Sequence, residues 1–197
     1  VRVYLDCESK RLFVARRVNK MPLHLRGYYV SKHPSPLNPL IAASIPFVLG
    51  KRLGTVYDPY CGSGTIPIEI SLRAEEVETL GSDVEPRFVS GARQNSERAG
   101  VDLEVFVADV RRPPALGGID LVATDPPRGK RMGRGFRYAY ISAVFALASH
   151  SSASLCLATP YRAAALAISR EYGYVLSEEV ATFQGGTRLY LLFFERE

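Results

Sequence analysis

From Thr55 onward, short apolar runs alternate with amphipathic stretches, the pattern of strands interleaved with helices. Strands are predicted at 54–58, 78–83, 103–109, 119–124 and 153–159, and helices at 64–74, 86–99, 138–150 and 162–172. Gly100 and Gly173 follow two of these helices as stop signals. Residues 174–183 and 188–195 read as a closing hairpin around Gln184-Gly-Gly186. Regular strand–helix alternation predicts an α/β fold: a mostly parallel sheet, helices on both faces, and an antiparallel C-terminal hairpin at one edge. The first 54 residues break the rhythm, with two short strands at 2–5 and 11–17 and a helix at 35–49 reached through Pro36 and Pro39. The chain therefore divides into an N-terminal extension, 1–54, packed on an α/β domain, 55–197.

Composition narrows the class. With 197 residues, 47% of them hydrophobic, the chain suits a globular fold with a sizeable core. No apolar run reaches the roughly 18 residues that span a bilayer, so no membrane is expected. No basic segment followed by an apolar one opens the chain, so no secretory leader is expected either. The first residue is Val1, which fits a piece of a longer protein. Cys7, Cys61 and Cys156 are odd in number and far apart, which points to a reducing, cytoplasmic setting with no metal site. The net charge of +5 is unevenly placed: residues 9–57 hold nine basic side chains and no acidic one. Such a one-sided field suits a polyanionic partner.

The chemistry concentrates at two turns. Asp58-Pro-Tyr-Cys-Gly-Ser-Gly-Thr65 lies where the first strand meets its helix, the place where ligands bind in open α/β sheets. Gly62 and Gly64 let backbone approach a ligand closely. A dinucleotide fingerprint needs a third glycine where Pro67 stands, and Asp58 would repel a pyrophosphate. A ligand with an ammonium group gains a charge-assisted hydrogen bond there instead. Asp83 and Asp109 end the next two strands, where one carboxylate suits ribose hydroxyls and the other an adenine amino group, although aspartate at a strand end also serves as a simple cap. Thr124-Asp-Pro-Pro-Arg-Gly129 follows the fourth strand. Its prolines stiffen the backbone and remove donors. The Asp125 carboxylate and the Pro126 carbonyl then suit the two N–H groups of a planar amine. The loop 128–137 carries Arg128, Lys130, Arg131, Arg134 and Arg137 and no acid, a pattern suited to phosphate contact.

These segments, with Ser82-Asp-Val-Glu-Pro86 and Ala108-Asp109, resemble the motifs of class I amino-methyltransferases. Leu25-Arg-Gly-Tyr28 and His33-Pro-Ser-Pro-Leu37 narrow the resemblance to RNA guanine-N2 methyltransferases, whose catalytic domain usually follows a THUMP domain. The resemblance implies a Rossmann-like seven-stranded sheet and S-adenosylmethionine as cofactor. It implies cofactor contacts from Pro36, Leu37, Asp58, Tyr60, Cys61, Gly62, Gly64, Thr65, Asp83, Val84, Asp109 and Val110. Asp125, Pro126 and Pro127 would hold the target amine, most often guanosine N2 in transfer RNA. The family usually has an aromatic ring after the two prolines, where this chain has Arg128; Phe136 or Tyr138 is the candidate replacement. DNA or protein-glutamine methylation, and RNA binding without catalysis, are the competing functions.

Overall fold

The computed structural model describes residues 2–6, 9–16, 18–50, 53–74, 76–128 and 134–197. Strands β1 (Arg2–Asp6) and β2 (Arg11–Ala15) pair antiparallel as a separate two-stranded sheet, and helix α1 spans Pro39–Leu49. Then follow β3 (Thr55–Asp58), α2 (Thr65–Ser71), β4 (Glu78–Asp83), α3 (Pro86–Ala99), β5 (Glu104–Val107), β6 (Leu121–Thr124), α4 (Arg134–Ser151), β7 (Ser154–Thr159), α5 (Arg162–Glu171), β8 (Tyr174–Gln184) and β9 (Thr187–Arg196).

The main sheet has seven strands in the order β5-β4-β3-β6-β7-β9-β8. Strands β3 to β7 run parallel, and β9 pairs antiparallel with both β7 and β8. Both faces are buried, so successive residues alternate between two cores. Leu155 and Leu157 face one core while Cys156 and Ala158 face the other, and Leu192 and Phe194 alternate with Leu191 and Phe193 in the same way. Helices α4 and α5 cover the first face, α1 and α2 the second, and α3 joins α2 beside β5.

Several boundaries differ from the sequence reading. Helix α1 begins at Pro39 rather than Ser35, because Asn38 caps it: its side chain accepts from the Leu40 N–H at 3.0 Å. Strand β5 stops at Val107, beyond which Asp109 makes a tight turn with Arg112. The basic loop is shorter than 128–137, since α4 already begins at Arg134. At the far edge, Gly185 and Gly186 take φ of 57° and 76°, the two left-handed residues of a tight hairpin turn.

The N-terminal extension is stapled to the sheet domain by buried polar groups. Arg26 forms a two-pronged pair with Glu69 of α2 at 2.7 and 3.0 Å, and the Tyr28 hydroxyl donates to the same carboxylate at 2.7 Å. Glu69 is fully buried, and Arg73 supplies a further cation at 2.6 Å. Asn95 of α3 accepts from the N–H groups of Val30 and Ser31 and donates to the carbonyls of Ser31 and Ser63. Gly91 makes the approach possible, since a Cβ there would lie 2.4 Å from Ser31 Oγ. These ties deliver residues 33–37 to the carboxyl ends of the strands.

Candidate active site

The strand order reverses between β3 and β6, which are adjacent while their successors β4 and β7 lie on opposite sides. Crevices open at such switch points. Here a cleft of about 830 Å³ does so, within the size range of small-molecule sites. Its walls bring together Pro36, Leu37, Asp58, Tyr60, Cys61, Gly62, Thr65, Asp83, Val84, Asp125, Pro126, Pro127 and Arg128 from four separate segments of chain.

Asp58 ends β3 and is 1% exposed. Its Oδ1 accepts from the Tyr60 N–H at 3.0 Å and from the Thr124 hydroxyl at 2.6 Å, so β6 orients the acid of β3. Burial raises its pKa to about 7, against the pull of those two donors, and the nearby Asp125 and Asp83 charges add to the rise. Asp83 ends β4, where Oδ2 accepts from the Gly62 N–H at 3.1 Å and Oδ1 from the Glu85 N–H at 3.0 Å. Each oxygen keeps a lone pair for a ligand. Gly62 and Gly64 have φ of 52° and 82°, which explains glycine at both positions of the turn. Gly64 caps α2 and packs toward Ala92 rather than lining the cleft.

Asp125 follows β6. Its Oδ2 is paired with the Arg128 guanidinium, while Oδ1 is buried without a hydrogen-bond partner among the described residues. Burial raises its pKa to about 6, and Arg128 opposes the rise. An unsatisfied buried acceptor costs about 1–3 kcal/mol, so this atom is poised for a donor that arrives with a ligand. Besides His33, the charged lining consists of Asp58, Asp83, Glu85, Asp125 and Arg128. With Arg128 engaged by Asp125, the cleft is net anionic: it disfavours a pyrophosphate and suits a cationic ligand.

Other predicted residues lie elsewhere. The Asp109 carboxylate does not line the cleft; it accepts from the backbone N–H of Arg111 and from its guanidinium, the latter at 2.6 Å. Val110 is buried in the core under α4. Lys130 and Arg131 lie outside the described residues, and Arg134 begins α4. The Arg137 guanidinium stacks over the Tyr161 ring, 4.7 Å from its centroid. Tyr138 bonds to Glu171 and is absent from the lining, which instead holds Tyr140 and Tyr161. Tyr140 meets Tyr60 edge-on at 5.7 Å, and the Tyr161 hydroxyl donates to the Arg128 carbonyl at 3.4 Å. The sequence reading also missed His33, Phe88 and Gln184 as lining residues. Phe88, in the first turn of α3, holds His33 at 4.4 Å between ring centroids. Among the described residues no cluster of His, Cys, Asp and Glu could hold a metal ion, and no helix is long and apolar enough to cross a membrane.

Residues 26–170 match the model of the RMKL-like methyltransferase domain. A tRNA (guanine(10)-N2)-dimethyltransferase of Methanothermobacter thermautotrophicus is 32% identical over 125 residues, covering 61% of this chain and 36% of that protein. The ribosomal RNA large subunit methyltransferase K/L of Shewanella frigidimarina is 28% identical over 171 residues, covering 62% and 24%. The matched stretch thus spans from about a quarter to just over a third of the length of these relatives. Among solved structures, TrmN from Thermus thermophilus superposes with a TM-score of 0.70 at 22% identity, covering 82% of this chain and 49% of that one. The magnesium protoporphyrin IX methyltransferase of Synechocystis, solved with bound S-adenosylhomocysteine, gives 0.67 at 16% identity, covering 81% and 82%. Fold, switch-point cleft and sequence agree: the chain belongs to the RMKL-like methyltransferase domain family.

Proposed function

We propose that this chain transfers a methyl group from S-adenosylmethionine to an exocyclic amino group of a base in RNA, with guanosine N2 of transfer RNA as the target, in the cytoplasm. The observation that carries the reading is the buried Asp125 Oδ1, unpaired among the described residues, in one anionic cleft with Asp58. When bound, the cofactor supplies an electrophilic methyl group on a cationic sulfur. Asp58 offers a carboxylate to its ammonium group, and Asp83 offers lone pairs to its ribose hydroxyls. Exocyclic base amines are weak nucleophiles because their lone pair is delocalised into the ring. Asp125 Oδ1 and the Pro126 carbonyl would accept the two N–H groups and so orient the nitrogen lone pair for attack. The methylated nitrogen would have to give up a proton, and the Asp125 carboxylate would be the acceptor within reach.

The relatives named for tRNA and ribosomal RNA methylation support RNA as the substrate class. So do the exposed cations Lys10, Arg11, Arg16, Lys20 and Lys32, which precede the cleft-lining His33 in the chain. The test is methyl transfer from tritiated S-adenosylmethionine to bulk unmodified tRNA. Incorporation by the wild type that falls at least a hundredfold in Asp125→Ala supports the reading. RNA binding without incorporation, or labelling of DNA or protein alone, refutes it.

A further inference from the structure

One wall of the cleft, residues 33–37, belongs to no sheet. Pro34 and Pro36 have no N–H, so one edge of this stretch has no donors for a strand ladder. Beside the ties to α2 and α3, its position is fixed from the opposite end of the chain. Gln184 Nε2 donates to the Pro36 carbonyl at 3.0 Å, and Gln184 Oε1 accepts from the Asn38 N–H at 2.9 Å. One side-chain amide thus brackets Leu37 much as the peptide group of a neighbouring strand would. Leu37 is 3% exposed and lines the cleft. The Asn38 side chain is meanwhile committed to capping α1. Gln184 is the last residue of β8, and Gly185 and Thr187 beside it also line the cleft.

We infer that Gln184 is a positioning residue for the cofactor: the tip of the C-terminal hairpin holds the proline-rich wall in its binding geometry through this one amide. The inference rests on the proposed function in taking S-adenosylmethionine as the ligand. A wall that is already ordered spares the ligand the entropy of ordering it on binding. Gln184→Leu keeps the bulk and removes both bonds. Gln184→Glu keeps the acceptor for Asn38 and loses the donor to Pro36.

Hydrogen exchange on the ligand-free chain and calorimetric titration with S-adenosylhomocysteine test this. In Gln184→Leu the Asn38 amide should exchange at least tenfold faster, and Kd should rise about tenfold, equivalent to about 1.4 kcal/mol. During turnover KM for the cofactor should rise more than kcat falls, a split that general destabilisation would not produce. Gln184→Glu should keep Asn38 protected and still weaken binding, and it carries the test if the leucine variant does not fold. Unchanged Asn38 exchange in Gln184→Leu, or an unchanged Kd in both variants, overturns the inference. If the wild type itself fails to bind S-adenosylhomocysteine, the proposed function falls, while Asn38 exchange still decides whether the amide holds the wall.

Discussion

The proposed contact of Asp58 with the cofactor's ammonium group would give binding a pH dependence whose sign is fixed by the burial of Asp58. Its pKa stands at about 7 instead of 3.8, so ionising it in the ligand-free fold costs on the order of 4 kcal/mol, at about 1.4 kcal/mol per unit. The shift is upward, so this group favours the fold when protonated, and its contribution declines as pH rises from about 4 to about 7. An ammonium group placed against it reverses that preference and expels the proton. At about pH 6 roughly nine-tenths of Asp58 is protonated, so binding should release close to one proton; at about pH 7.5 it should release roughly a quarter of one. S-adenosylhomocysteine is the suitable probe, because it has the ammonium but no sulfonium to disturb Asp125. Its affinity should rise roughly eightfold between about pH 6 and pH 7.5, in step with the ionised fraction of Asp58, because the ligand's amino-acid ammonium keeps its proton over this range. Asp58→Asn keeps an oxygen for the Thr124 hydroxyl and removes the charge. It should cost about 1.5–3 kcal/mol at pH 7.5, roughly 10- to 150-fold, and abolish the proton release. Calorimetry in two buffers of different ionisation enthalpy reads both quantities. A flat affinity between pH 6 and 7.5, or wild-type affinity in Asp58→Asn, would refute the reasoning.

Two further outcomes follow from the same geometry. Arg128→Met removes the cation that opposes the rise of the Asp125 pKa above about 6, so the acidic limb of the pH–rate profile should move to higher pH while cofactor Kd changes less than threefold; an unmoved limb means that Arg128 does not govern Asp125. Gly64→Ala places a Cβ at φ 82° and 3.2 Å from the Ala92 Cβ, which should cost about 1–3 kcal/mol and lower Tm by several degrees in thermal unfolding; an unchanged Tm would show that the turn relaxes freely.

The parts of this architecture that are written locally could be read from the chain. Alternating apolar runs gave the sheet because its two cores each take every second residue, as at Leu155–Ala158. The turn 58–65 was legible because its glycines need positive φ, and the place of Asp125-Pro-Pro127 because a buried apolar run, β6, directly precedes it. What escaped was whatever depends on distant partners. Gln184 meets Pro36 across 148 positions, and no local pattern marks it. Tyr161 precedes α5 like any residue before a helix, yet the turn after β7 brings it against Arg128. Asp109 fits the spacing of a ligand-binding acid, but Arg111, two residues on, takes up its carboxylate. The helix starts at Pro39 and Arg134 were misplaced because capping and tertiary packing, rather than propensity, set them.

The most direct measurement of the central claim is a crystal structure of the chain with S-adenosylhomocysteine. The account predicts the ligand at the switch point between β3 and β6, its amino group on Asp58, its ribose on Asp83, and its sulfur facing the side of the cleft that holds Asp125 Oδ1. A ligand bound outside this cleft, or lying in it with the amino group turned away from Asp58, would contradict it.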